Sequence, residues 1–228
     1  MILRERTDEL ELIDGPLNSF AELEESFHDI ERANRIFGGL AAARHGLRRF
    51  DVRTVLDVGA GIADIPAGLR REFRSNGKDV RFTCLDMNDD VLEMARARYS
   101  EDDGVDFVRG DGESLPFDNA SFDVAMCNLA LHHFAERKAI ALLRELRRVS
   151  KLSPLVTDLQ RSALTLGAAF AFSRLFTSNR LTRHDAPLSA KRAYTPNEAL
   201  SLARRAGWEH PHVESFQFIR MILIDASV

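Results

Sequence analysis

The chain has 228 residues, 45% of them hydrophobic, and a formal net charge of −4. That length and apolar content can bury the core of one large domain, or of one domain with a helical appendage. The acidic balance argues against nucleic acid as a partner, because phosphate binding needs concentrated positive charge. The most apolar stretch, Ala163 to Phe176, is broken by Ser173 and Arg174 and is too short to span a bilayer. The N-terminus carries Arg4, Glu5, Arg6 and Asp8 where a signal peptide would need apolar residues. Cys84 and Cys127 sit in apolar strand-like runs with neither metal nor redox spacing, and read as small buried hydrophobes of a cytoplasmic protein.

Residues 1–50 read as helical. Leu17, Phe20, Leu23, Phe27, Ile30 and Phe37 recur at helical spacings after the turn Asp14-Gly15-Pro16, and Gly38-Gly39 separates them from a second helix over about 40–50. Such a leader is either a lid over a ligand or a brace on a sheet. The β-branched run Thr54–Val58 then passes through Gly59-Ala60-Gly61 into a helix with Pro66 in its first turn, the pattern of a nucleotide-binding strand, turn and helix. A dinucleotide fingerprint requires Gly or Ala where Asp64 stands, so a pyrophosphate here meets a carboxylate. Asp57 and Asp64 suit a ligand with cationic parts; a plain glycine turn with a capping Asp is the alternative.

The second strand, Val80–Asp86, also ends on an acid, placed where this kind of fold puts the carboxylate that accepts from both hydroxyls of a ribose. Otherwise Asp86 caps the helix Asp89–Tyr99. A third strand, Val105–Arg109, leads to Gly110-Asp111-Gly112, where Asp111 either accepts from an adenine amino group or is an exposed turn residue. The fourth strand, Ser121–Asn128, runs into Leu131-His132-His133.

These motifs in this order resemble the class I S-adenosylmethionine-dependent methyltransferases, most closely the ubiquinone/menaquinone-biosynthesis type of small-molecule enzyme. The likeness covers roughly residues 54–159, with Ala63 where many members carry a third glycine. It implies an α/β, doubly wound, Rossmann-like seven-stranded sheet with the last strand antiparallel, over residues 51–228. It implies S-adenosylmethionine as cofactor and S-adenosylhomocysteine as product, held by Asp57, Gly59, Ala60, Gly61, Asp64, Asp86, Met87, Asp111, Gly112 and Asn128, with no metal.

Beyond the helix Ala135–Ser150, Lys151-Leu152-Ser153-Pro154 replaces the Pro-Gly-Gly turn of relatives before the strand Leu155–Leu159. An insertion over 160–195 follows, read as an apolar helix Ser162–Phe176 and a polar loop Ser178–Tyr194. Insertions there lie over the strand ends, so acceptor recognition is assigned to it. It resembles methyltransferases found beside type III polyketide synthases, which act on phenolic or pyrone products. Thr195-Pro196-Asn197-Glu198 starts a helix that Gly207 ends, and Trp208–Ser215 with Phe216–Asp225 reads as a closing antiparallel pair.

Methyl transfer from a sulfonium is an in-line displacement, so the protein mainly aligns the acceptor with the methyl group and excludes water. A base helps when the acceptor is a phenol, with a pKa of about 10. His184, beside Asp185, is the first candidate base and His132 the second; each competes with a purely structural role. His133, Asp158, Arg183 and Arg192 are the candidate acceptor contacts. The expectation is O-methylation of a small phenolic or polyketide-derived molecule. The alternatives are C- or N-methylation, or a non-catalytic cofactor-binding protein.

Overall fold

The computed structural model describes residues 3, 5–15, 19–99 and 101–225; Pro16 and Leu17 of the expected N-terminal turn and helix lie outside them. The predicted strands appear as β1 (Thr54–Val58), β2 (Arg81–Asp86), β3 (Val105–Arg109), β4 (Phe122–Asn128), β5 (Ser150–Leu159), β6 (Pro211–Phe216) and β7 (Arg220–Asp225). Among the described residues they form one seven-stranded sheet in the order β3-β2-β1-β4-β5-β7-β6. The first five are mutually parallel, and β7 inserts antiparallel between β5 and β6, with Leu155 opposite Ile224. The order reverses between β1 and β4, so a crevice opens beyond the carboxyl ends of these strands, where such sheets bind ligands.

Both faces of the sheet are covered, which is why β4 reads as a continuous apolar run. On one side α2 (Gly39–Leu47) and α3 (Asp64–Ser75) bury Leu47 and Leu69 against Val55, Phe82, Met126 and Ile224. On the other, α5 (Glu136–Val149) and α8 (Pro196–Arg205) bury Leu142, Leu146 and Leu202 against Leu56 and Cys127. The Thr195/Glu198 pair forms the predicted capping box.

The leader divides in two. Its second helix, α2, packs against the sheet. Its first, α1 (Phe20–Ile36), is capped by Ser19 and lays Leu23 and Phe27 over the glycine turn, in a cluster with Ile62, Val91 and Met94 of the turn and α4 (Asp89–Tyr99). Ahead of α1 lies a short strap with a 3-10 turn at Leu12–Asp14.

Two sequence expectations are corrected. Residues 151–154 are not a turn: α5 passes directly into a continuous β5 at Ser150, whose hydroxyl donates to the Leu146 carbonyl at 2.7 Å and accepts from Ala125 N–H at 3.0 Å. One side chain thus closes the helix and bridges the register shift in β4, replacing the glycine turn. Residues 178–194 are not a loop but mostly a helix, α7 (Arg180–Arg192), with Asn179 as N-cap. Its buried face mixes Leu181, Leu188 and Ala190 with Thr182, Asp185 and Arg192, and Pro187 lies inside it, so the apolar periodicity is interrupted and propensity does not mark it. The preceding helix, α6 (Ala163–Leu175), forms as expected but leaves Leu164, Phe170 and Leu175 exposed.

Candidate active site

The turn after β1 works because its backbone is left-handed. Gly59 and Gly61 have φ of +71° and +55°, and a Cβ on Gly59 would lie 2.7 Å from that of Ala130. Ala63 is also left-handed, with φ of 59°, and fully buried. Leu129, just past β4, adds a fourth such residue with φ of 52°. Strained backbone gathered at one sheet edge is a mark of a functional site.

Three acids face this turn region. Asp57 is buried at the end of β1 and accepts from the Asn128 amide at 2.8 Å. Burial pushes its carboxyl well above the ordinary range; the Asn128 bond pulls it down and the charges of Asp64 and Asp86 push it further up. Asp86 accepts from Gly61 N–H and Asn88 N–H, both at 3.0 Å, one on each oxygen. Each oxygen keeps a lone pair, which is what a ribose diol requires. Burial raises the Asp86 carboxyl, partly offset by these bonds. Met87, next in the chain, is 69% exposed, an apolar side chain positioned beside that carboxylate.

Across the crevice Asp111 is exposed and accepts from Glu113 N–H at 2.9 Å, leaving its other oxygen uncommitted. Gly112 is buried, and a Cβ there would meet Val58 at 3.0 Å and Leu142 at 3.1 Å, so packing already requires a small residue. Ala60 is buried. Asp64 lies in the first turn of α3 and accepts from Asn34 of α1 at 3.0 Å. This second partner, together with the Phe27 ring 3.1 Å from a Cβ on Gly61, comes from α1, whose ordinary amphipathic pattern does not mark them.

The candidate acceptor residues separate. His132 is buried, with Nδ1 2.7 Å from Asp158, and the same carboxylate accepts from the His132 and Leu159 N–H groups at 2.9 and 2.7 Å. Asp158 is thereby committed within the chain. Burial raises its carboxyl, but the His132 charge and these bonds outweigh burial and hold it below the usual range. His133 is partly exposed, with Nδ1 2.9 Å from Asp14 of the strap. Burial lowers its pKa, but Glu11 and Asp14 outweigh burial and bring it to about 8. Arg192 is buried and donates to the His132, His133 and Glu9 carbonyls, so its N–H groups bracket the strap to the turn after β4. Arg183 donates to the Thr177 carbonyl at 3.0 Å. His184 stands with Nδ1 2.7 Å from Asp185 and its side chain 41% exposed. Asp185 also accepts from Leu12 and Ile13 N–H at 2.8 and 3.0 Å, which docks the strap on α7.

The residues at the β1 and β2 exits fit an adenosyl sulfonium donor on the chemistry of the set. Bare glycine backbone permits close approach, Asp86 offers paired acceptors, Met87 an apolar surface, and the carboxylates at 57, 64 and 86 favour positive charge over phosphate.

In sheet order and in this set of acceptors the chain resembles the class I S-adenosylmethionine-dependent methyltransferases. Residues 55–152 match the family model described as a methyltransferase domain. The chain is 44% identical over 72 residues to ubiquinone/menaquinone biosynthesis C-methyltransferase UbiE of Rhodopseudomonas palustris, covering 30% of this chain and 27% of that protein. It is 32% identical over 111 residues to demethylmenaquinone methyltransferase of Staphylococcus epidermidis, covering 49% of this chain and 44% of that protein. The matched region thus spans less than half the length of these curated relatives. Human N-acetylserotonin methyltransferase, solved with S-adenosylmethionine, superposes with a TM-score of 0.65 at 17% identity, over 92% of this chain and 59% of that one. A methyltransferase from Aquifex aeolicus does so at 0.60 and 16%, over 84% and 90%. At those identities the likeness is one of fold.

Proposed function

We propose that the protein transfers the methyl group of S-adenosylmethionine to the oxygen of a small phenolic acceptor, with S-adenosylhomocysteine as product. The observation that carries this is the Asp86 carboxylate, bonded to the glycine turn while keeping a free lone pair on each oxygen beside the exposed Met87. Asp57, Gly59, Ala60, Gly61, Asp64, Asp111, Gly112 and Asn128 complete or support the cofactor site in this reading. When bound, the cofactor supplies an electrophilic methyl group. The chain orients it, holds the acceptor in line and excludes water.

On the acceptor side, residues 160–195 and the strap form the cover. His184 is the proposed base, because Asp185 fixes one ring nitrogen and the ring is accessible, whereas His132 is buried with both neighbours acidic. Residues 1–50 serve as both brace (α2) and cover (α1 and the strap). No described helix is long and apolar enough to cross a membrane, and the buried thiols of Cys84 and Cys127 suit a reducing cytoplasm.

Carbon methylation is the second reading, favoured by the printed names of the R. palustris and S. epidermidis relatives. Turnover with phenols and reduced quinones, followed by mass spectrometry of the product, separates the two. Methylated phenol oxygen supports the first reading, a new carbon–methyl bond the second, and no turnover with intact cofactor binding contradicts both. Full activity in His184→Ala removes His184 as base.

A further inference from the structure

A second cluster lies at the β4 exit. Glu11 of the strap and His132 and His133 after β4 each offer one ligand atom, all within 4.8 Å of one another. His132 Nε2 is 3.8 Å from one Glu11 oxygen and His133 Nε2 is 3.7 Å from the other. Behind each ring a carboxylate takes the opposite nitrogen, Asp158 at 2.7 Å for His132 and Asp14 at 2.9 Å for His133. A carboxylate at Nδ1 fixes the N–H there, so the nitrogen that a metal ion would take is Nε2. Two imidazole Nε2 atoms and a carboxylate therefore converge at separations too long for hydrogen bonds.

The groups nearby satisfy the cluster only in part: Ser189 Oγ donates to one Glu11 oxygen at 2.9 Å. Arg192 Nε lies 3.8 Å from Glu11, but its guanidinium donates to the His132, His133 and Glu9 carbonyls and to Asp14. Arg6, which reaches the His132 carbonyl, is paired with Asp8. Glu11, Asp14 and Asp158 then gather around the two rings in a largely buried site, with Arg192 beside them.

We propose that Glu11, His132 and His133 form a binding site for a divalent transition-metal ion of the zinc type, with Asp14 and Asp158 orienting the two rings. Imidazole with carboxylate selects such ions over magnesium or calcium. Zinc bonds of about 2.0–2.1 Å in a tetrahedron give ligand edges of about 3.3 Å, so the two Glu11 edges close by a few tenths of an ångström. The ion ties the N-terminal strap to the turn after β4. Its role is structural, since methyl displacement from a sulfonium needs no metal. The site escapes sequence reading because its third ligand stands far from the two adjacent histidines.

The test uses the full chain, stripped with EDTA and titrated at pH 8 with Co²⁺, then with Zn²⁺ as competitor. One Co²⁺ per chain is expected, with visible d–d bands that Zn²⁺ abolishes. Glu11→Gln and His133→Ala should each weaken binding about tenfold or more, while His210→Ala/His212→Ala binds as the parent does. Melting curves of each variant establish that it folds; if His133→Ala does not, Glu11→Gln decides alone. No bands and no Zn²⁺-dependent rise in melting temperature would mean that a proton occupies the cluster, overturning the proposal. So would binding that persists in Glu11→Gln and is lost in the His210/His212 variant. S-adenosylhomocysteine affinity, measured separately, tests the methyltransferase reading without touching this one.

Discussion

Asn128 donates its side-chain amide to the Asp57 carboxylate at 2.8 Å and accepts from the Thr157 hydroxyl at 2.7 Å, so one chain of hydrogen bonds links β1, β4 and β5 beneath the Gly59 turn. It holds a buried acid in place at a stability cost, because Asp57 has its folded pKa raised well above 3.8, first by burial. Stability associated with such a group is complete below the unfolded value and is lost as pH rises through the folded one. Asp57→Asn is therefore expected to raise the urea midpoint at pH 7, with the advantage shrinking toward pH 4, while weakening S-adenosylhomocysteine binding. Denaturation at the two pH values checks the sign. Asn128→Ala leaves the carboxylate without its donor and should cost about 1–3 kcal/mol.

Gly59 and Ala63 share a left-handed backbone but should respond in opposite ways. Gly59→Ala combines a left-handed penalty of about 1–2 kcal/mol with overpacking against Ala130 worth about 1–3 kcal/mol, and should lose about 2–5 kcal/mol. Ala63→Gly recovers the same penalty, but gives up about 0.8 kcal/mol of methyl burial and about 0.4–1 kcal/mol of unfolded-state entropy. Its net change should stay within about 1 kcal/mol. That balance explains how alanine is accommodated at a glycine position, and equilibrium unfolding of both variants measures it.

Asp185 docks the strap through two backbone N–H groups, those of Leu12 and Ile13. Asp185→Ala should speed hydrogen exchange at both amides about tenfold or more, and expose residues 5–15 to protease, with little change in the global melting temperature. Unchanged exchange at Leu12 and Ile13 would show that Arg192 alone holds the strap.

The α/β core was legible because its signals are local. Apolar runs ending on Asp57, Asp86 and Asn128, with glycines between strand and helix, carry both the sheet and the cofactor residues. The acceptor side was not. The buried face of α7 sets Thr182, Asp185 and Arg192 among Leu181, Leu188 and Ala190, and the partners of the three polar residues include Asp29, two strap amides and three carbonyls. Polar burial of that kind has no periodic signature, so the helix reads as a loop. Asn34 and Phe27 were missed for the related reason that α1 looks like any amphipathic helix until it is seen over the glycine turn.

The central claim is that carboxylates at the β1 and β2 exits receive an adenosyl sulfonium donor, and calorimetric titration with S-adenosylhomocysteine and NAD tests it most directly. The account predicts one S-adenosylhomocysteine per chain, about tenfold or weaker binding in Asp86→Ala from the loss of charge-assisted bonds worth about 1.5–3 kcal/mol, and no heat from NAD. Binding of NAD, or S-adenosylhomocysteine affinity unaltered in Asp86→Ala, would contradict it.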